Sequence, residues 1–304
     1  MTGRRTRVGV HLPNYGTAAS DPGMAAMAQV AERAGMDSIW LSDHIVLFER
    51  PESRYPFSTD GEIYFPPDSD WLEWTVTAGY LAAVTEHIEI GVGVLPLRHP
   101  LLLAKQVATL DLLSNHRIVL GVGTGWLLEE FDALGVEWAA RGARADGALR
   151  LLRAAWTGRP AAGDYGPYSL PDGVICAPAP GRDPLPIYVG GVSAAALQRV
   201  ARYGQGWYGT GVAGQPDPVE MAHLTQRIAD ECAAIGRDHH DVDVALRVSV
   251  RAAQIGSPEL ADRLGSYLEA GADRFCLDLR WTKDLDLMGE RLADLGGWCQ
   301  TAPF

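Results

Sequence analysis

The chain has 304 residues, 47% of them hydrophobic, and a formal net charge of −12. That length and apolar fraction suit one large core or two small ones. The acidic balance argues against a general nucleic-acid binder, which needs a basic face to offset phosphate charge, but a local pocket for a small anion remains compatible with it.

The opening stretch MTGRRTRVGVHLP lacks the apolar region and cleavage site of a secretion signal, and runs such as IEIGVGVLPL are far shorter than a membrane span. A cytoplasmic protein with no membrane partner is expected. Residues 8–12 form an apolar strand ended by Pro13, Asn14 and Gly16. Residues 24–34 follow at helical spacing, with Asp21-Pro22 as cap and first turn and Gly35 as the stop. The alternation then continues: strand 38–41, a long polar loop, helix 72–85, strand 88–94, helix 101–113, strand 118–122, helix 144–156. After a Pro/Gly-rich excursion come strand 186–189, helix 194–203, a very short strand 206–208 and helix 219–235. Strand 242–250, helix 259–269, strand 274–279 and helix 285–295 close the series. Eight strand–helix pairs with no linker between domains predict an α/β fold, a (β/α)8 TIM barrel over residues 1–304 with insertion segments at 45–70 and 157–185. The competing architecture is a doubly wound sheet, which usually has fewer units.

A barrel places the residue after each strand at the C-terminal face, where barrel active sites sit. Asp43 and His44 leave the second strand together, ahead of a polar loop. An imidazole there can position a ring or move a proton near neutral pH. Adjacent residues in extended chain point apart, so Asp43 need not touch His44; a loop cap beside a surface histidine is the plainer alternative. His11, in the first strand, can point into the mouth or lie satisfied in the core.

GVGTGW at 121–126 has glycine spacing reminiscent of a dinucleotide fingerprint, but it follows a fourth strand and has the wrong sequel. Gly121, Gly123 and Gly125 instead let backbone approach a flat ligand, or ease a crowded rim. GGVS at 190–193 opens a helix after a strand, a nest of N–H groups suited to phosphate. Arg98, His99 and Lys105 can add positive charge at the same face. No metal is expected: HExxH and first-strand HxH are absent, and His239-His240 reads as a solvated turn. Cys176, Cys232, Cys276 and Cys299 form no CxxC pair and read as reduced thiols. Neither a Schiff-base lysine nor a glycosidase carboxylate pair stands at a strand end.

Six stretches in this order, VGVHLP (8–13), AERAGMDSIWLSDH (31–44), IEIGVGVLPLRHP (88–100), RIVLGVGTGWLLEEFDALG (117–135), RADGALRLLRAAW (144–156) and PIYVGGVSAAALQRVARYGQGW (186–207), resemble the bacterial luciferase-like monooxygenase superfamily, and more narrowly its branch that uses the deazaflavin coenzyme F420. The resemblance implies a barrel whose mouth binds F420 or, alternatively, FMN, with the phosphate on Gly190, Gly191, Val192 and Ser193. It implies Gly91, Val92 and Gly93 beneath the ring, with a non-proline cis peptide near Gly91–Val92, and Gly123, Gly125 and Trp126 in the cofactor pocket. It further implies catalytic roles for His44 and Asp43, and hydride transfer between F420 and a small-molecule substrate. The alternatives are an FMN-dependent monooxygenase fed by a partner reductase, and a non-catalytic cofactor sensor. A homodimer is common in such proteins. Phe48, Tyr55, Phe57, Tyr64, Phe65, Trp71 and Trp74 either line the substrate pocket with Trp126 or pack on one another as a lid.

Overall fold

A computed structural model describes residues 5–58, 60–94, 97–211 and 216–301. The elements are β1 (Arg7–His11), α1 (Met24–Arg33), β2 (Ser38–Leu41), α2 (Trp74–Val84), β3 (Glu89–Val94), α3 (Pro100–Leu113), β4 (Ile118–Val122), α4 (Leu128–Ala133), α5 (Arg141–Ala155), β5 (Gly163–Tyr165) and β6 (Tyr168–Leu170). They continue with β7 (Ile187–Gly190), α6 (Ala194–Tyr203), β8 (Gly206–Gly211), α7 (Pro218–Ala233), β9 (Asp243–Val250), α8 (Pro258–Glu269), β10 (Arg274–Leu279) and α9 (Leu285–Thr301). Eight parallel strands close in the order β1-β10-β9-β8-β7-β4-β3-β2. This is the expected barrel and excludes the open doubly wound sheet.

Alternation along the strands sorts side chains into two layers. Ile39, Leu41, Ile90, Val92, Leu246 and Leu277 face outward and pack with helix residues such as Met27, Leu81, Val107 and Leu197, all buried. The interleaved positions fill the barrel: Trp40, Val119, Tyr188, Ala245 and Cys276 form an inner cluster with Tyr208 against it. Trp40 lies 4.5 Å from Tyr208 between ring centroids. Below this layer Arg7 and Arg274 each reach Glu89 at 2.9 Å, and the Tyr188 hydroxyl donates to Asp243.

Several expectations change. Asp21-Pro22 does not cap α1; the chain turns at Gly23 (φ 91°), which is the N-cap. β8 is longer than expected because it pairs with β9 from Gly206 through Gly211. The 157–185 excursion contains the antiparallel hairpin β5–β6, and α4 is a helix that the apolar spacing did not reveal. Among the described residues the cis bonds are Asp21-Pro22, Ala177-Pro178 and Asp183-Pro184. Gly91–Val92 is not one of them: both residues sit in regular ladder register, between Trp40–Leu41 and Val119–Leu120. Leu95 and Pro96 lie outside the described residues. No helix among the described residues is long and apolar enough to cross a membrane.

Candidate active site

The exit of β2 is held from both sides. Asn14, fully buried, donates to the Ser42 carbonyl (2.9 Å) and accepts from the Ser42 amide (3.0 Å), and it also donates to the Leu72 carbonyl (2.8 Å). This brackets both ends of the loop after β2. Beyond Ser42, Asp43 and His44 diverge as alternation requires.

His44 turns toward α4. Its Nδ1 lies 2.9 Å from Glu130 Oε2, and Glu130 Oε1 accepts from the amides of Ile45 (2.6 Å) and Val46 (3.3 Å). A carboxylate accepts, so the contact suits the tautomer in which Nδ1 donates to Glu130 and Nε2 is left to accept. The ring stands edge-on to Trp71 (4.8 Å) and to Trp126 (5.5 Å). Glu129 accepts from the amides of Glu52 (2.6 Å) and Ser53 (3.1 Å), so the two acids of α4 clasp the β2 loop together.

Asp43 instead pairs with Arg98, which also reaches Glu73 at 3.1 Å and lies over the Trp74 ring. Its Oδ1 is buried and unpartnered among the described residues. Burial raises the Asp43 carboxyl to about 6, with Arg98 opposing the rise. Arg98 is therefore committed to two carboxylates and not free for a ligand. His99 caps α3, and Lys105 donates to the Ala177 carbonyl, a tie to the excursion.

The glycine ends of β3, β4 and β7 differ in kind. A Cβ on Gly91 would sit 2.3 Å from the Trp40 ring, so this glycine makes room for packing inside the barrel. Val92 is fully buried on the outward layer against the helices. Any contact of these two with a ligand would be through backbone; Gly93 is half-buried at the rim. A Cβ on Gly123 would meet nothing within 4 Å, and Gly125 (φ 81°) turns the chain toward Trp126. At the end of β7, Gly191 takes φ 102°, its carbonyl accepts from Trp207 Nε1 (2.9 Å), and Val192 is exposed. Ser193 caps α6 by accepting from the Ala196 amide.

A cavity of about 1510 Å³ lies elsewhere. None of the residues expected to act in catalysis or hold the cofactor lines it, but Tyr55, Phe57, Tyr64 and Phe65, expected at the substrate pocket or in a lid, do. It spans the other half of the mouth, over the ends of β8, β9, β10 and β1, under the loop bearing Tyr55, Tyr64 and Phe65. Its floor holds Arg247, whose Nη2 lies 2.7 Å from Asp278 Oδ2. Beside them His11 bonds Ser42 Oγ through Nε2 (2.8 Å), and its Nδ1 lies 3.6 Å from Asp278, too far for a hydrogen bond. Burial, with help from Arg247, drops His11 to about 3, so it is neutral. Burial works against the Arg247 charge, but Asp278 together with Tyr208, Tyr55 and Tyr64 outweighs it and the guanidinium stays ionised. Sequence reasoning missed Arg247, Asp278 and Glu130. The first two carried a usable signal, since each is a charge at an inward position toward the C-terminal end of its strand.

Aromatic rings run from one half to the other, with Tyr15, Tyr55 and Phe65 lining the cavity and Trp71 and Trp126 against His44. Tyr15 stacks on Trp71 (4.4 Å), Phe65 meets Trp71 (5.2 Å), and Tyr55 contacts both Phe65 (5.8 Å) and Trp126 (5.0 Å). Tyr55 and Phe65 are buried, so this part of the loop packs on itself. Trp74 is core, fully buried at the start of α2. Away from the mouth, Asp238, His239 and His240 bring their ligand atoms within 4.8 Å of one another, all exposed in a short turn before β9.

A parallel barrel with a carboxylate-held imidazole and an aromatic-walled cavity at its C-terminal mouth defines a barrel enzyme. The model of the luciferase-like monooxygenase family matches residues 7–256. The chain belongs to that family, and thereby to the oxidoreductases. It is 36% identical over 209 residues to an uncharacterised protein of Mycobacterium tuberculosis, covering 66% of this chain and 68% of that one. It is 32% identical over 227 residues to an F420-dependent glucose-6-phosphate dehydrogenase of Microbacterium testaceum, 73% of this chain and 61% of that enzyme. The fold is also that of an F420-dependent secondary alcohol dehydrogenase solved with an F420-acetone adduct (TM-score 0.76, 18% identity, 96% of this chain and 99% of that one).

Proposed function

We propose that the protein transfers a hydride between coenzyme F420 and an organic hydroxyl or carbonyl compound, with His44 moving the proton. The observation that carries this is the Glu130–His44 pair at the end of β2, flanked by Trp71 and Trp126. The F420-dependent relative above supports the choice of cofactor.

The residues present fit such a group. The open approach at Gly123 and the turn at Gly125 suit a flat ring, and the exposed first turn of α6 suits a phosphate through backbone N–H groups. Gly190, Gly191, Val192 and Ser193 would hold the phosphate; Gly123, Gly125 and Trp126 would border the ring. When bound, F420 supplies a two-electron hydride donor or acceptor.

His44 Nε2 accepts the proton of a substrate hydroxyl during oxidation and returns it during reduction. Glu130 fixes the tautomer and stabilises the ring when it is charged. Asp43 acts from further away, tying the strand end to Arg98. The wall of Trp71, Phe65 and Tyr55 keeps water from the reacting centre.

The deciding experiment is titration of the purified protein with F420 and with FMN, each oxidised and reduced, read by fluorescence and absorbance. Selective F420 binding is expected. Selective binding of reduced FMN would turn the reading to an oxygen-using monooxygenase fed by a reductase, and binding of neither would overturn it.

A further inference from the structure

The cavity floor has a chemistry that the proton transfer above does not use. Arg247 and Asp278 occupy inward positions on adjacent strands β9 and β10 and pair at 2.7 Å. Both side chains line the cavity, that of Arg247 13% exposed and that of Asp278 25%, while Arg247 Nε is buried with no acceptor among the described residues. One donor-rich group and one acceptor therefore face the same space, and together with neutral His11 they carry no net charge. A hydroxyl beside another oxygen satisfies both, accepting from the guanidinium and donating to the carboxylate. A phosphate or carboxylate would have to compete with Asp278 for Arg247 while lying against its like charge.

The rim acts in the same direction. Among the described lining residues Asp21, Asp60, Glu62, Asp68 and Asp70 stand around the opening against Arg280 and Lys283, and Lys283 is itself paired with Asp21. Such a rim repels an approaching anion. Tyr15, Tyr55 and Trp281 supply ring surface in the walls.

We infer that this cavity is the substrate site and that Arg247 and Asp278 select an uncharged hydroxylated molecule over its phosphorylated or carboxylated counterpart. The assignment rests on the F420 reading for its substrate role. It separates this chain from the phosphosugar substrate in the name of its Microbacterium relative.

The test measures binding of two matched pairs, glucose with glucose 6-phosphate and benzyl alcohol with benzoate, by saturation-transfer NMR and competition. The same preparations are titrated with F420. The wild-type protein should bind the neutral member of each pair at least ten-fold tighter. Asp278→Asn, which leaves Arg247 an uncompensated cation, should reverse the preference for at least one pair. Glu62→Lys with Asp68→Lys alters only exposed rim residues and should narrow the preference even if Asp278→Asn fails to fold. Preference for the anions, binding of no member, or a preference unmoved by either variant would overturn the inference. F420 binding without the neutral preference would sink this inference alone. The neutral preference without F420 binding would sink only the cofactor reading.

Discussion

Glu130 holds Nδ1 of His44 at 2.9 Å across 86 positions of sequence, while the neighbouring Asp43 turns away to Arg98. The Asp-His dipeptide is thus not a dyad. The carboxylate that meets the imidazole comes from α4, and the adjacent one ties the strand end to Arg98.

Glu130→Gln should therefore lower kcat by roughly 10²-fold or more while the F420 dissociation constant changes little, as expected for loss of a group that acts through a general base. Asp43→Asn should have a smaller effect on kcat. Steady-state kinetics and F420 fluorescence titration of both variants check this, and equal losses would show that Asp43 takes part in the proton transfer.

The glycines should separate by what surrounds them. Gly91→Ala forces a methyl into the Trp40 ring and should destabilise the fold by roughly 1–3 kcal/mol. Gly123→Ala meets nothing in the protein, so it should leave stability unchanged and weaken cofactor binding instead. Urea denaturation and F420 titration of the two variants give opposite patterns if the assignments hold.

Removing Arg98 strands Asp43 as a buried, unpaired carboxylate. Arg98→Met should cost about 3–5 kcal/mol at neutral pH, and adding Asp43→Asn should restore most of it. The sign with pH follows from a carboxyl raised from 3.8 to about 6. Its contribution to stability is fully present below the unfolded value and is lost as pH rises through about 6. Loss of the opposing Arg98 pushes this window higher, so the single variant should recover stability on acidification. Denaturation midpoints at pH 5 and pH 8 test it.

His11 has the opposite sign. Its folded value, near 3, lies below the ordinary 6.5, so its contribution is present above 6.5 and is lost as pH falls toward 3. The full effect is at most about 4–5 kcal/mol. His11→Gln should flatten the fall in Tm between pH 6.5 and 4, measured by calorimetry; an unchanged slope would place the acid sensitivity elsewhere.

The barrel was legible in the chain because strand alternation and helix spacing are local. Ser38–Leu41, Ile118–Val122, Ala194–Tyr203 and Arg274–Leu279 have the bounds their periodicity predicts. Motif order carried the family, and strand-end position put His44 at the mouth. α4 escaped because six residues are too few for a period to show.

Partnership and charge balance lay beyond reach of the linear pattern. Which carboxylate meets His44 depends on α4 crossing the β2 loop. Whether Gly91 serves a ligand or a tryptophan depends on Trp40 filling the barrel from the neighbouring strand. Arg247 meets Asp278 only because closure sets β9 beside β10. Periodicity is written by each segment's own burial, so composition and order suffice to read it. A site is made by side chains from different segments converging, and that convergence is a property of packing.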